Sequence, residues 1–198
     1  MTDKTKSPVT SGSSIQVIDA SARTTKVKIT GNKLDNIIIG GSKNDKIYGK
    51  GGKDTLSGNA GNDKLFGNAS NDSLVGGDGK DYLNGDNGAD ILRAGTGNDT
   101  LWGGAGNDSL YGGDGNDVFI YKPGEGTDKI FDYSSGDMLK ILKSNGNSDG
   151  SFSKSSFSGG DLTLTINGGG KVIFNDVASG DTFNVNGKTY TISDSNLK

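Results

Sequence analysis

A nine-residue period over residues 31–120 limits the fold of this chain more than any other feature. Ten consecutive units follow one another without an insertion. Position one is Gly in nine units, position four is Gly in seven, position six is Asp in nine, and position eight is apolar in all ten. A disordered chain of similar composition has no reason to keep this phase. The period therefore predicts a repeated structural unit.

One unit has room for one turn and one short strand. In residues 58–66, GNAGNDKLF, the last three residues can form a strand whose middle side chain, Leu65, points inward. Two units then make an eighteen-residue coil with strands on opposite sides. The glycines permit positive φ angles and let backbone carbonyls approach an ion closely. The period predicts an all-β solenoid.

Composition excludes several functions. The chain has no Cys and no His, which excludes disulfides, thiolate or imidazole metal sites, and Ser-His-Asp or Cys-His catalysis. We therefore expect no enzyme. Residues 31–130 carry a net charge of −5 within a total of −3, which disfavours a nucleic-acid partner. No apolar stretch is typical of a membrane span or an N-terminal signal, so export would need another route or a longer parent chain.

The nonapeptide GGxGxDxUx resembles that of the RTX (repeats-in-toxin) family, the haemolysin-type calcium-binding repeat. The similarity covers residues 31–120. It continues through residues 121–130, YKPGEGTDKI, where Asp128 and Ile130 take positions six and eight. The resemblance implies a right-handed parallel β-roll with calcium between stacked turns, in a monomeric, extracellular module of a bacterial protein exported by type I secretion machinery.

An eighteen-residue coil places each position-six residue beside the one two units later. The odd-numbered units form one column, which we call the odd column: Asn36, Asp54, Asp72, Asp90, Asp108 and Asp128. The even column contains Asp45, Asp63, Asp81, Asp99 and Asp117. Carboxylates roughly 4.8 Å apart repel each other by about 3–4 kcal/mol at an effective dielectric near 20. No basic residue recurs to cancel this repulsion, so a divalent cation is predicted. Oxygen-only ligation suits calcium better than magnesium or zinc.

The resemblance also implies the ligands of about six to nine calcium ions. Each ion would take two position-six side chains, with carbonyls from positions one and three of one loop and positions two and four of the next. The glycines concerned are Gly49, Gly51, Gly52, Gly58, Gly61, Gly67, Gly76, Gly77, Gly79, Gly85, Gly88, Gly97, Gly103, Gly104, Gly106, Gly112, Gly113 and Gly115. Asn36 lacks a charge, so the first site of its column should be weak. Leu34, Lys43, Ser70 and Ala94 depart from the pattern but can still offer a carbonyl.

The chain divides into four predicted segments. Residues 1–13 are a flexible lead, 14–30 an N-terminal β cap, 31–130 the roll, and 131–198 a C-terminal β cap. Ile130 and Phe131 are expected to need that cover. Whether residues 131–198 are only a cap or also an uncleaved secretion signal stays open. Because each unit buries one apolar side chain, we expect the calcium-free chain to be largely unfolded.

Two functions fit this reading. The first is a module whose folding is driven by extracellular calcium. It would be attached to a passenger domain and would support the secretion and stability of that exported protein. The alternative is a polysaccharide-binding or adhesive module like those of alginate epimerases. An ice-binding role would need Thr recurring at position three, which only Thr96 supplies. The outward side chains Tyr48, Phe66, Tyr82 and Trp102 would share one face. They are either cross-coil packing or a docking surface for a glycan or a neighbouring domain.

Overall fold

The structure is a computed structural model that describes residues 9–10, 17–143 and 150–192. All regular secondary structure in these residues is β-strand. The described part of the chain therefore contains no helix that could cross a membrane.

Twenty strands follow one another in the residues that the structure describes. The first ten are β1 Val9–Thr10, β2 Val17–Asp19, β3 Lys28–Thr30, β4 Ile37–Ile39, β5 Lys46–Lys50, β6 Thr55–Ala60, β7 Lys64–Ala69, β8 Ser73–Asp78, β9 Tyr82–Asn87 and β10 Ile91–Thr96. The others are β11 Thr100–Ala105, β12 Ser109–Asp114, β13 Val118–Tyr121, β14 Thr127–Ile130, β15 Met138–Ile141, β16 Phe152–Ser158, β17 Asp161–Ile166, β18 Lys171–Phe174, β19 Thr182–Val185 and β20 Lys188–Thr191.

Consecutive strands of the repeat alternate between two sheets. One sheet has the order β1-β3-β5-β7-β9-β11-β13-β15-β19-β20, and the other β16-β17-β18-β14-β12-β10-β8-β6-β4-β2. Within the repeat, neighbours are parallel and eighteen residues apart, as in the register that joins Ile47, Leu65 and Leu83. The chain thus forms a parallel β-solenoid of about 7 turns, which confirms the predicted fold class.

Each strand of the repeat contributes one position-eight side chain to the core of the solenoid. Position eight supplies it in every unit, and each of these side chains is at most 2% exposed. They are Ile38, Ile47, Leu56, Leu65, Leu74, Leu83, Leu92, Leu101, Leu110 and Phe119. Side chains that point outward flank each of them, because successive residues of a strand face opposite sides.

The parallel pairing of strands continues beyond both ends of the repeat region. On the N-terminal side β2 pairs with β4 and β3 pairs with β5. On the C-terminal side β15 pairs with β13, and β18 pairs with β14. The boundaries at residues 30 and 130 therefore mark a change of sequence pattern within a continuing ladder. Most of the lead at 1–13 and the last six residues, 193–198, lie outside the described residues.

In the described part of residues 131–198, which we call the C-terminal unit, antiparallel pairs close the roll. β17 pairs with β16 and β18, and β19 pairs with β20. Ile130 is 1% exposed, as expected for position eight. Phe131 instead lies on the outer face, where its ring stacks on Tyr111 with centroids 4.7 Å apart. Only Ile130 needs a cover, since Phe131 faces outward like any position-nine residue.

Deletion of residues 131–198 should raise the calcium concentration needed for folding or abolish folding. The truncated chain would lose β15 and β18, which pair with the last strands of the roll and cover Phe119 and Ile130. Repeat arrays without a cap lose nearest-neighbour stabilisation at the open end. Far-UV circular dichroism during a calcium titration measures the midpoint. If the truncated and intact chains titrate alike, the C-terminal unit does not stabilise the roll.

Candidate metal centre

The position-six side chains form the two predicted columns inside the turns. Each Asp of both columns is between 1% and 3% exposed, and Asn36 is 1% exposed. Backbone hydrogen bonds join their neighbours in register: the Thr100 N–H donates to the Asp81 carbonyl oxygen, for example, at 2.9 Å. Burial of so many carboxylates is costly unless each oxygen finds a partner.

One oxygen of each carboxylate bridges two coils. The backbone N–H of Asp72 donates to Oδ1 of Asp90 at 2.7 Å, and the N–H of Asp90 donates to Oδ1 of Asp108 at 2.8 Å. The even column repeats the arrangement, for example from the Asp63 N–H to Oδ1 of Asp81 at 2.7 Å. Each aspartate therefore ties its own coil to the preceding one through a charge-assisted hydrogen bond.

The second oxygen has no partner in most of these residues. Eight buried Oδ2 atoms accept no hydrogen bond: those of Asp54, Asp63, Asp72, Asp81, Asp90, Asp99, Asp108 and Asp117. A buried, unpaired charged oxygen is strongly destabilising. Asp45, at the start of the even column, differs because its Oδ2 accepts the N–H of Gly41 at 2.6 Å.

The electrostatics of the columns disfavour the charged form when no cation is present. Burial raises the pKa of Asp72, Asp81 and Asp90 to about 7, and repulsion from neighbouring aspartates in the same column adds to the shift for all three. Burial likewise raises the pKa of Asp128, next to Asp108. Raised carboxyl pKa values mean that stability is present at acidic pH and is lost as pH rises through the folded-state pKa. At neutral pH the columns therefore need positive charge.

Position one is glycine in nine units because a larger side chain has little space there. A β-carbon at Gly67 would clash with Oδ2 of Asp72 and would lie 2.8 Å from the carbonyl oxygen of Gly85. Its φ is not in the left-handed region, in contrast to position four, where Gly79 has a φ of 131°. The expectation that glycines serve positive φ thus holds at position four, whereas position one makes room for the carboxylate. All predicted glycine ligands occupy positions one to four of their units, at the end of a strand or in the turn that follows it, and carbonyl ligation by them stays a prediction.

The sequence analysis missed two contributors. Position five carries Asn in six of ten units, and its side chain forms a second ladder. The Lys80 N–H donates to Oδ1 of Asn62 at 3.0 Å, and the Asn62 N–H donates to Oδ1 of Asn44 at the same distance. The recurrence of Asn could have revealed it. The other contributor is Asp137, which is 2% exposed and whose Oδ1 accepts the Asp117 N–H at 2.8 Å.

The donor set fits calcium. Within the described residues no three acidic, His or Cys side chains lie together as a metal cluster. An ion between two coils would therefore be held by a pair of aspartates and by backbone carbonyls. Calcium accepts six to eight such hard oxygens in flexible geometry, and the unpartnered Oδ2 atoms are oxygens of this kind.

Asp90→Asn should raise the calcium midpoint of folding by about tenfold, because the amide removes a charge shared by two neighbouring coils. The matched control is Asp114→Asn, at an exposed aspartate of the roll, which should leave the midpoint unchanged. Calcium titrations followed by far-UV circular dichroism compare the two. Equal midpoints for both variants would exclude Asp90 as a ligand.

Gly67→Ala should destabilise the calcium-saturated chain by about 1–3 kcal/mol, because the new methyl group collides with the Asp72 carboxylate. Gly51→Ala is the control, since its β-carbon would meet only the Lys33 Cα, at 3.7 Å, and its φ is not left-handed. Urea unfolding at fixed calcium measures both. A similar loss in the two variants would show that position one needs glycine for another reason.

The repeat units match a protein-family model. Residues 30–65, 57–92 and 84–119 match the family described as RTX calcium-binding nonapeptide repeat (4 copies). No curated protein sequence matches the chain. A crystal structure of the extracellular lipase LipA from Serratia marcescens is similar over 79% of this chain and 38% of the lipase chain, with 16% identity and a TM-score of 0.44. The present chain thus spans well under half the length of that lipase. Residues 30–119 are an array of repeats that belongs to the RTX calcium-binding nonapeptide family.

Proposed function

We propose that this chain is a module that folds when it meets extracellular calcium and thereby supports the export and stability of the protein that carries it. The observation that carries the proposal is the set of eight buried Oδ2 atoms without a partner. In these eight aspartates the protein provides a hydrogen bond for one carboxylate oxygen but no hydrogen-bond donor for the other. No catalytic role is proposed, because these aspartates would serve as ligands.

Calcium binding would supply the missing free energy of folding. The core gains one buried side chain per nine residues, which is little against the backbone entropy that the coil loses. Any ligand that binds only the folded chain stabilises it in proportion to its concentration and affinity. Where calcium is scarce the chain would stay unfolded and suited to passage through an exporter, and outside the cell it would fold.

We propose that the columns hold six to nine calcium ions. The eight aspartates with a free oxygen form six neighbouring pairs, three in each column. The end pairs Asn36 with Asp54, Asp45 with Asp63, and Asp108 with Asp128 would add three weaker or modified sites. The pair that contains Asn36 has one carboxylate, and Oδ2 of Asp45 already accepts a hydrogen bond.

The outward aromatic side chains support packing rather than glycan docking. The rings of Tyr48 and Phe66 stack with centroids 4.9 Å apart, and Lys46 lies over both. The indole N–H of Trp102 donates to the Glu125 carboxylate at 2.9 Å. These contacts join successive coils, as expected for cross-coil packing. No observation favours the polysaccharide-binding alternative, and we do not propose it.

Calcium should convert the chain from largely unfolded to β-structured in one cooperative step, with a midpoint of roughly 0.1–1 mM as in extracellular modules. Far-UV circular dichroism during a titration from excess chelator measures the transition. Magnesium at the same concentrations is the control and should not induce the change, because it requires tighter octahedral geometry. Identical spectra in chelator and in millimolar calcium would contradict the proposal.

A further inference from the structure

Three lysines form a row on the outer face of the sheet that contains β3, β5 and β7. Lys28, Lys46 and Lys64 are joined in register on these neighbouring parallel strands, and all three side chains are exposed. Neighbouring strands lie about 4.8 Å apart, and like charges directly opposite each other destabilise a sheet. This lysine row is therefore repulsive unless negative charge lies against it.

The protein supplies no such negative charge. Among the described residues, no carboxylate forms an ion pair with any of the three ammonium groups. Lys46 Nζ lies 5.2 Å and 5.6 Å from the ring centroids of Tyr48 and Phe66, and Lys28 Nζ lies 5.7 Å from that of Tyr48. Such contacts bury the aliphatic part of a lysine against a ring and leave its charged end towards solvent. The positive charge of the lysine row thus faces outward.

The rest of the surface around the lysine row is also basic. In residues 17–66 nine lysine and arginine side chains are exposed, against two exposed acidic side chains, Asp19 and Asp35. The other acidic residues of this segment are the buried column aspartates. In residues 67–130, by contrast, four basic and four acidic side chains lie outside the columns. The excess of positive surface charge is therefore confined to the N-terminal part of the roll.

The setting of the lysine row favours a broad anionic partner that also accepts aromatic rings. The row lies on one face of a ten-stranded sheet. Beside it the rings of Tyr48 and Phe66 stack at 4.9 Å, and the ring of Tyr82 follows at 5.8 Å from Phe66. Matching positions of the opposite sheet carry no lysine, namely Val17, Ile37 and Thr55. Basic side chains next to aromatic rings are typical of surfaces that lie on a bilayer, where phosphate headgroups meet the edge of the acyl chains.

We propose that the lysine row binds the anionic surface of a phospholipid bilayer, with this face of the sheet lying on the headgroups. The ammonium groups contact lipid phosphates, and the rings of Tyr48 and Phe66 lie at the level of the headgroups. The interaction goes beyond the proposed calcium-driven folding and requires only that the roll is folded. Ions bound in the columns strengthen it, because they offset the charge of the buried aspartates behind the sheet.

Co-sedimentation of the full-length chain with vesicles tests the proposal at a calcium concentration that folds the roll. The vesicles contain phosphatidylcholine and phosphatidylglycerol, and vesicles of phosphatidylcholine alone are the neutral control. The combined variant Lys28→Gln, Lys46→Gln and Lys64→Gln should bind the anionic vesicles about a hundredfold more weakly, because each lysine near an anionic surface contributes about fivefold. Arg at the same three positions keeps the charge and should keep the binding.

The matched control is the combined variant Lys33→Gln, Lys43→Gln and Lys53→Gln. It removes the same charge from exposed positions that lie outside the strands, and it should retain most of the binding. Equal losses in the two Gln variants would overturn the proposal, since net charge and not the lysine row would then cause the attraction. Equal binding to anionic and neutral vesicles, or binding to neither, would overturn it as well.

Two further measurements separate the remaining outcomes. Capture by soluble dextran sulfate that depends on the lysine row, without binding to anionic vesicles, would exclude the bilayer as the partner. Far-UV circular dichroism in calcium reports folding separately, so a chain that folds but does not bind refutes the lysine row alone. If the Gln variant fails to fold, the unmodified chain decides. Sodium chloride at about 1 M shortens the Debye length to about 3 Å and should release it from the vesicles, whereas retention would overturn the proposal.

Discussion

Two columns of buried carboxylates are the constraint on which the rest of this structure depends. In each column an aspartate uses one oxygen to accept the backbone N–H of the preceding coil, as Asp90 does from Asp72. In eight of these aspartates the other oxygen stays without a donor. The backbone can therefore align the coils but cannot neutralise them. Buried like charges at the spacing of neighbouring strands are stable only with a cation between them.

The other positions of the nine-residue unit follow from this arrangement. Position one is glycine because the carboxylate needs its space, as at Gly67. Position five carries asparagines such as Asn62, whose amide oxygen continues the backbone ladder through the turn. Position eight supplies a core one side chain deep. A core this thin leaves much of the free energy of folding to hydrogen-bond ladders and bound ions.

The C-terminal unit is stabilised in a more ordinary way. Tyr133, Phe174 and Phe183 form an aromatic cluster that also contacts Phe119, the last position-eight residue of the repeat. Such a cluster needs no cation. It covers the open end of a solenoid whose last coil would otherwise expose its strand edge and its core. The ion-dependent array and the aromatic unit meet in residues 131–137, which contribute side chains to both.

The sequence by itself determined the coil length, the parallel architecture, the position-eight core and the membership of both columns from Asn36 to Asp128. It could do so because a strict period makes spatial neighbours calculable: eighteen residues along the chain are one step along the sheet. Only the tertiary structure decided what lies where the period ends. Asp137 joins the even column at a spacing of twenty, and Phe131 faces outward onto Tyr111. These contacts are set by how the C-terminal unit packs against the last coil, and long-range packing of that kind leaves no periodic trace in the sequence.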